Sequence, residues 1–329
     1  MRARMSCYMT HPIRKIGIIG AGFMADKHAQ VFKACPEVDL TAIYSRSPAK
    51  AKALQEKYGI KKVSLSLDAL VNDQHLDGII VAVSEDSMRE VVKQLLPYKI
   101  PLLIEKPAGR TVEENHALAK IANDYKTPTM VAYNRRFYSI FQQGMRIIAD
   151  HGGLLGVHIE GHERFWRIKE SGRFSQDVMD NWIYANSTHT IDLLRLFGGT
   201  ISDVSAFSRS AFGEKNGDEF VANIIFDNGA FGQYQSFWFS PGGWRVVLYA
   251  KGATVEFKPL EQGQWIDKDF KTYPIVPDQH DTTYKPGLYG QAKAFIGLMQ
   301  TGKLHPSAID IAGALETMQL AQQFTSGRK

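Results

Sequence analysis

Glu105, Lys106 and Pro107 are the first residues of this sequence that could do chemistry together. They follow the apolar run Leu102 to Ile104, which is typical of a short buried strand. In an open parallel sheet, ligands bind in the crevice outside the carboxyl ends of the strands. Lys106 is therefore a candidate for proton chemistry on a bound substrate, and the alternative is that Glu105 and Lys106 form only a solvated loop pair.

A histidine in the second half of the chain is the next candidate. Ser187 is a residue type that caps helices, so we predict a helix from Ser187 through Leu196 that ends at Gly198. His189 would lie in its first turn, where the positive potential favours a neutral imidazole that can accept a proton. Asp192 would lie on a similar face and could orient the ring. The alternative is a structural histidine at a domain junction.

A glycine-rich turn predicts a dinucleotide site. Arg14 to Gly20 has the pattern of a strand that runs into G-x-G-x-x-A over Gly20 to Ala25. Gly20 permits the tight turn, Gly22 lets the backbone approach a pyrophosphate, and the following helix offers its N-terminal amides. The residues expected to contact the dinucleotide are Gly20, Gly22, Phe23, Met24, Ser45, Arg46, Ser84, Glu105 and Lys106.

The end of the second predicted strand bears on the choice of cofactor. Ser45 and Arg46 follow the strand Leu40 to Tyr44, where an acid would bind the ribose of NAD. An arginine can instead accept the 2′-phosphate of NADP, although it can also stack on adenine. We therefore predict NADP or NAD, with NADP slightly favoured. Ser84 follows another strand and could contact the dinucleotide, cap the next helix, or do both.

The positions of the predicted strands indicate two domains, as expected for 329 residues. In the first part, strands alternate with helices, which predicts an α/β fold with a doubly wound parallel sheet, the Rossmann arrangement, over residues 1–134. After Asn134 the pattern changes to longer strands joined by hairpins, with a strong turn at Asp227 to Gly229. Residues 135–329 are predicted to form an α/β domain with a large, mostly antiparallel open sheet for substrate binding and oligomerisation.

Taken in order, these motifs resemble the glucose-fructose oxidoreductase, inositol dehydrogenase and rhizopine-catabolism (Gfo/Idh/MocA) family. The segments that carry the resemblance are Gly20 to Ala25, Glu105 to Pro107, Asn134 to Phe137, Gly153 to Gly156, His189 to Asp192, and a C-terminal helical segment containing Phe295. The resemblance implies a Rossmann domain, NAD(P)-dependent redox chemistry on sugars or polyols, and a cis bond before Pro107. It also implies a homodimer or homotetramer built on the second sheet, and catalytic roles for Lys106 and His189.

The sequence departs from the family at one position. The family often has an aspartate four residues before this histidine, where this chain has Ala185. Asn186 could hydrogen-bond a substrate hydroxyl but cannot act as a base, and Asp180 could supply a carboxylate from the preceding loop. Arg164, Trp166 and Tyr184 complete the expected substrate site, since arginine suits anionic groups and aromatic faces suit sugar rings. An interface is the alternative for Arg164 and Trp166.

Composition excludes several other classes. The 39 Lys and Arg residues are dispersed among 34 Asp and Glu residues, which does not favour nucleic-acid binding, and apolar runs are too short to span a membrane. Cys7 and Cys35 make neither a disulfide framework nor a metal site, so we expect no metal and a cytoplasmic protein. The first twelve residues lack the features of a signal peptide.

The sequence thus predicts an oxidoreductase that transfers hydride between a nicotinamide and a hydroxyl-bearing or carbonyl carbon. The substrate would be a sugar, a sugar derivative or a cyclic polyol, and such a reaction requires no metal. The alternative function is a catalytically silent, dinucleotide-sensing regulatory protein of the same fold, which Ala185 motivates.

Overall fold

The computed structural model describes residues 12–73 and 75–327. Cys7 and residues 1–11 of the N-terminal segment that lacks signal-peptide features lie outside the described residues. The strands, β1 to β14, are Arg14–Ile19, Val38–Tyr44, Lys62–Val63, Gly78–Val81, Leu102–Ile104, Thr129–Val131, Gly156–Gly161, Ile201–Arg209, Glu219–Phe226, Phe231–Phe237, Trp244–Ala250, Ala253–Phe257, Gly263–Asp267 and Thr272–Ile275. The α-helices, α1 to α12, are Phe23–Lys33, Pro48–Tyr58, Leu67–Asp73, Glu85–Leu95, Val112–Tyr125, Ser139–Asp150, Phe165–Ser171, Gln176–Asp180, Thr188–Gly198, Gln279–Thr283, Leu288–Thr301 and Ile311–Thr325. A π-helical turn, Ile183–Ser187, leads directly into α9.

The first sheet has the order β3-β2-β1-β4-β5-β6, and all of its strand pairs are parallel. Its central strands are apolar and closed to solvent, with Ile18, Ile80 and Leu103 each 0% exposed. This burial on both faces explains why these strands are continuous apolar runs in the sequence. The predicted doubly wound sheet is confirmed, and the order reverses between β1 and β4, where such sheets form their ligand crevice. The two-residue strand β3 was not predicted because it is too short to show a pattern.

The second sheet has the order β14-β13-β12-β11-β7-β10-β9-β8. Its pairs are antiparallel except β7 with β10, which confirms the predicted mostly antiparallel sheet. The hairpin at Asp227 to Gly229 joins β9 to β10, and Gly229 has a φ of +83°. Strands β7, β8 and β14 were not predicted. The two edge strands β8 and β14 bury few residues, so their sequences lack a strong apolar alternation.

A buried ion pair joins the end of the first sheet to the helices of the second. Arg136 follows β6, and its Nε and Nη2 donate to the two oxygens of Asp192 on α9 at 2.6 and 2.7 Å. Thr317 on α12 donates a third hydrogen bond to Asp192, at 3.1 Å. Arg136 and Asp192 are 6% and 1% exposed, so this pair lies in the interior and fixes α9 relative to the first sheet.

The C-terminal helices return to the first sheet. α11 packs against α1, with the Phe295 and Phe32 rings edge to face at 6.2 Å, and α12 packs against α5. Across residues 12–73 and 75–327, no helix combines the length and the apolar character needed to cross a membrane.

Candidate active site

The glycine turn after β1 forms one wall of a cleft of about 760 Å³ at the carboxyl ends of β1, β2 and β4. Gly20 has a φ of +109°, and a Cβ there would lie 2.0 Å from the backbone oxygen of Ala82, so only glycine fits. Gly22 differs, because a Cβ added there would meet no atom within 4 Å. Packing inside the protein therefore does not require a glycine at this position, and the absence of a side chain leaves the backbone open to a group in the cleft.

The cleft brings together all nine residues expected to contact a dinucleotide. They are Gly20, Gly22, Phe23, Met24, Ser45, Arg46, Ser84, Glu105 and Lys106. Phe23 is 66% exposed at the mouth, and the Lys27 ammonium lies 5.4 Å from its ring centroid. α4 starts at Glu85, and Ser84 precedes it without making a side-chain cap. The Ser84 hydroxyl instead contacts the Ser87 hydroxyl at 3.3 Å.

Glu105 faces inward from the end of β5. Its Oε1 lies 2.7 Å from Nε2 of the buried His28 on α1, and its Oε2 accepts from the Lys106 amide at 3.3 Å. Burial by itself raises the pKa of Glu105, but the hydrogen bond and the charge from His28 outweigh it and hold the pKa below its ordinary value. Glu105 is therefore a buried carboxylate that anchors the lysine segment to α1.

Lys106 connects the end of β5 to the turn that precedes α9, at the inner end of the cleft. The Lys106–Pro107 bond is cis, as the family resemblance implied. The Lys106 Nζ donates to the backbone oxygen of Ala185 at 2.6 Å, so the amine contacts the position where an aspartate was expected. Burial lowers the pKa of this amine to about 8; Glu105 opposes the shift, and the charge of Arg135 adds to it. The half-buried amine thus titrates close to neutral pH.

His189 lies on α9, one helical turn beyond Ala185. The ring is 7% exposed, lies edge-on to Tyr133 at 5.9 Å, and has no hydrogen-bond partner for Nδ1 among the described residues. Its pKa is far below the usual value of 6.5, because burial disfavours the charged form and nearby cations, Arg135 first, add to the effect. His189 is neutral, as predicted, and its ring offers unused hydrogen-bonding capacity.

Two predictions about the surroundings of His189 are wrong. Ser187 does not cap α9 with its side chain, because the π-helical turn Ile183–Ser187 continues into the helix and leaves no free N-terminus there. The imidazole is therefore neutral through burial, with no need for a helix-terminus effect. Asp192 does not orient the ring, because both of its oxygens are taken by Arg136.

A carboxyl group that the sequence reasoning missed lies beside Asn186. Glu163 follows β7 and is 5% exposed. Its Oε2 accepts from the Asn186 amide and its Oε1 from the Ser187 hydroxyl, each at 2.9 Å. Burial raises the pKa of Glu163, against the opposing effect of these hydrogen bonds and of the charge on Lys106. No sequence signal pointed to it, because its partners lie more than twenty residues away.

The other three expected substrate residues are less closely associated with this group. Arg164 is exposed and Trp166 is half-buried near the start of α7, and among the described residues neither makes a hydrogen bond, ion pair or ring contact with Lys106 or His189. The Tyr184 ring is 7% exposed and its hydroxyl interacts with Thr325 of α12. The arrangement gives no support to a substrate contact by Tyr184, because its polar end is used within the C-terminal domain.

A tryptophan and two cations complete the site and were not among the predicted site residues. The Arg135 guanidinium lies 4.4 Å from the Trp244 ring centroid, and its buried Nε and Nη1 have no hydrogen-bond partner among the described residues. Trp244 also lies 6.1 Å from the His189 ring. Burial lowers the pKa of Lys285, and the nearby charge of Arg135 acts in the same direction. Polar donors and an aromatic ring thus surround the imidazole.

Two family models match this chain. The one described as an oxidoreductase family with an NAD-binding Rossmann fold matches residues 14–133, and the GFO/IDH/MocA C-terminal domain matches residues 151–256. The chain belongs to this family. The resemblance drawn from the motifs is confirmed, and so is the NAD-binding Rossmann character of the first sheet.

Individual relatives are distant. D-apiose dehydrogenase from Rhizobium rhizogenes is 25% identical over 232 residues, which cover 66% of this chain and 63% of the relative. Inositol 2-dehydrogenase from Rhizobium meliloti is 26% identical over 136 residues, 41% of either chain. The matches thus span less than two thirds of these relatives. An oxidoreductase from Agrobacterium radiobacter, solved with NAD+, L-tartaric acid and magnesium, has a TM-score of 0.78 at 17% identity over 94% of each chain and shares the fold.

The contrast between the two glycines gives a test of the cleft. We expect Gly22→Ala to leave the melting temperature unchanged, since its Cβ meets nothing in the protein, and to weaken NADPH binding by about tenfold or more because the methyl group obstructs a pyrophosphate. Fluorescence titration with NADPH measures the affinity. Gly297→Ala, where the Cβ also meets nothing, is the matched control. Unchanged NADPH affinity in Gly22→Ala would show that phosphates do not bind at this turn.

Proposed function

We propose that this protein is an NAD(P)-dependent dehydrogenase or reductase that acts on a CH–OH group of a sugar, a sugar derivative or a cyclic polyol. The observation that carries the proposal is the Lys106 amine, which lines the dinucleotide cleft, has a pKa lowered to about 8 and contacts Ala185, four residues before the neutral His189. Membership of the family and its named sugar and polyol dehydrogenases support the same reaction class.

Different residues of the site move the proton and hold the substrate. The nicotinamide, when bound, supplies the hydride acceptor or donor. In the oxidative direction, the neutral Lys106 amine takes the proton of the substrate hydroxyl, and the unpartnered Nδ1 of His189 helps to hold the reacting oxygen. Asn186 and the free N–H groups of Arg135 bind other substrate oxygens, and Trp244 offers an apolar ring face to the carbon skeleton.

The lowered pKa of Lys106 fixes the direction of the pH dependence. The amine is neutral above about pH 8 and charged below it. Oxidation of an alcohol, in which the amine accepts a proton, therefore rises as the pH increases through this value. Reduction, in which the ammonium donates the proton, falls over the same range.

Replacing the lysine tests the assignment. We expect Lys106→Met to lower kcat by about 10²–10⁴-fold and to abolish the inflection near pH 8, because the proton acceptor is lost. Nicotinamide absorbance, followed with NADP+ and NAD+ against aldoses, sugar acids and cyclic polyols, gives the rates. Lys120→Met, on an exposed stretch of α5, is the control. Full turnover by Lys106→Met would refute the role. Tight NADPH binding by the wild type without turnover of any substrate would favour the silent regulatory protein instead.

We propose further that the cofactor is NADP(H). Ser45, Arg46 and Lys50 line the cleft beyond β2, where no carboxylate follows the strand to bind a ribose diol. Arg46 and Lys50 make no hydrogen bond or ion pair within the described part of the chain, so both cations are free for a 2′-phosphate.

The cofactor preference has its own test. Arg46→Ala should weaken NADPH binding by about 10–100-fold, the loss of one charge-assisted contact, while NADH affinity changes little. Calorimetric titration with each nucleotide measures both constants, and Lys52→Ala, an exposed cation of α2, serves as the control. Equal losses for the two nucleotides would mean that Arg46 stacks on adenine rather than binding a phosphate.

We also propose that the chain forms a homodimer or homotetramer through the open face of the second sheet. Ile225, Phe231 and Tyr249 stand in one row across β9, β10, β7 and β11, and they are 41%, 66% and 41% exposed. A row of large apolar side chains on the uncovered face of a sheet is typical of a protein interface.

A charged residue in the middle of this row tests the proposed interface. Phe231→Glu should shift the mass measured by light scattering from a multiple of the chain mass towards one chain, because the interface would have to bury a charge. Phe270→Glu is the control, since Phe270 is 89% exposed in the turn between β13 and β14, away from this row. A wild-type protein that runs as a single chain would refute the proposal.

A cytoplasmic location is part of the same proposal. Cys35 is buried and unpaired, and burial raises the pKa of its thiol to about 11, which keeps it protonated and unreactive. Recovery of the protein in an extracellular fraction of its source cells would contradict this location.

A further inference from the structure

The position of Ala185 leaves a specific gap in the site. Its side chain carries no proton-exchanging group, and only its backbone oxygen contacts Lys106, at 2.6 Å. A reaction that creates an ammonium group in a half-buried site is favoured by a nearby negative charge. Glu105 and Glu85 already favour the charged amine, but among the described residues neither makes a hydrogen bond to the turn around position 185, so a carboxyl at that turn has to come from another element.

Glu163 is placed to supply that carboxyl. Along β7 and just beyond it, Val157, Ile159, Gly161 and Glu163 alternate on the covered side of the second sheet, which is the side that α9 packs against. The carboxyl meets Asn186 and Ser187, the two residues directly after Ala185. Glu163 thus contacts the turn that contains position 185, although it belongs to a different element of the fold.

The hydrogen bonds of Glu163 favour a carboxyl that can change its protonation. Both partners are neutral donors, an amide and a hydroxyl, so neither locks the group in a permanent ion pair. The other buried carboxylates near the site differ in this respect, since Glu105 lies against His28 and Asp192 is held by Arg136. Of these three carboxyls, Glu163 is the one that is not held in a pair with a histidine or an arginine.

We propose that Glu163 replaces the carboxyl absent at position 185, holding the Asn186 amide towards the substrate and balancing the charge of Lys106 when that amine takes the substrate proton. The inference rests on the proposed function. In the oxidative direction the substrate loses a hydride to NADP+ and its hydroxyl proton to the neutral amine, which leaves a carbonyl, NADPH and an ammonium. Glu163 acts through Lys106 and Asn186 and is a positioning residue.

The charges that face Lys106 define what a variant must change. They belong to Glu105 from its own strand end, Glu85 from α4, Arg135 from the turn after β6, Lys285 from the segment before α11, and Glu163 from the end of β7. Glu163→Gln removes one negative charge from this set, and its amide can still accept one of the two hydrogen bonds. The amine of Lys106 should then titrate at a lower pH than in the wild type.

The experiment compares Glu163→Gln, the double variant Glu163→Gln/Ala185→Asp, and Glu170→Gln, an exposed control on α7. Lysine labelled with carbon-13 at Cε reports the titration of Lys106 by NMR in NADPH-bound protein, with Lys106→Met identifying its signal. We expect Glu163→Gln to lower the titration midpoint and to lower kcat by about 10–100-fold, with KM for the nucleotide little changed. Adding the aspartate at position 185 should restore much of both.

Two results would overturn the inference. One is an unchanged Lys106 titration and an unchanged pH profile in Glu163→Gln. The other is a loss of kcat in a folded Glu163→Gln protein that Ala185→Asp does not reverse. If Glu163→Gln does not fold, Asn186→Ala is the second variant. It removes one of the two hydrogen bonds that stabilise the charged form of Glu163, and it should therefore also lower the titration midpoint of Lys106. The titration does not depend on turnover, so it still tests Glu163 if no substrate of the panel is converted.

Discussion

The buried ion pair between Arg136 and Asp192 is the interaction on which the rest of the site depends. Arg136 belongs to the turn that ends the first sheet, and Asp192 lies three residues beyond His189 on α9. The bidentate contact therefore fixes the distance between the cofactor-binding sheet and the helix that carries the imidazole. Removing one partner of such a pair typically costs about 3–5 kcal/mol, because the other charge is left buried and unpaired. A charge pair with a directional, two-point geometry is well suited to this task.

Once the two domains are held in this way, burial sets the protonation of both catalytic candidates. Removing water disfavours the charged form of each, so the amine of Lys106 titrates near pH 8 and the imidazole of His189 is neutral. The surrounding cations act in the same direction, whereas the Glu105 carboxylate opposes the shift of the amine. The same low-dielectric junction therefore brings the pKa of the amine close to neutral pH and keeps the imidazole uncharged.

At Ala185 the carboxyl that the family resemblance led us to expect is absent, and a carboxyl from a different element lies at the same turn. The strand end that carries Glu163 and the π-helical turn that ends at Ser187 lie side by side, and the Glu163 carboxyl accepts hydrogen bonds from Asn186 and Ser187 of that turn. The functional alternative of a silent protein rested on Ala185 alone, and the role that we infer for Glu163 would remove that motive.

The sequence by itself determined which residues line the dinucleotide cleft, and the tertiary structure decided how the other site residues come together. The glycine turn, the strand ends and the Glu-Lys-Pro segment are short contiguous motifs whose geometry follows from local backbone preferences, and all nine residues expected there line one cleft. The partners of Asp192, the contact of Glu163 with Asn186, and the grouping of Arg135 with Trp244 join residues 23 to 125 positions apart. Such contacts leave no periodic or local signal, because they depend on how the second sheet packs against its helices and on where the ion pair holds α9. The neutral state of His189 was predicted correctly for the wrong reason, since burial, a property of the folded whole, replaces the helix terminus that the sequence suggested.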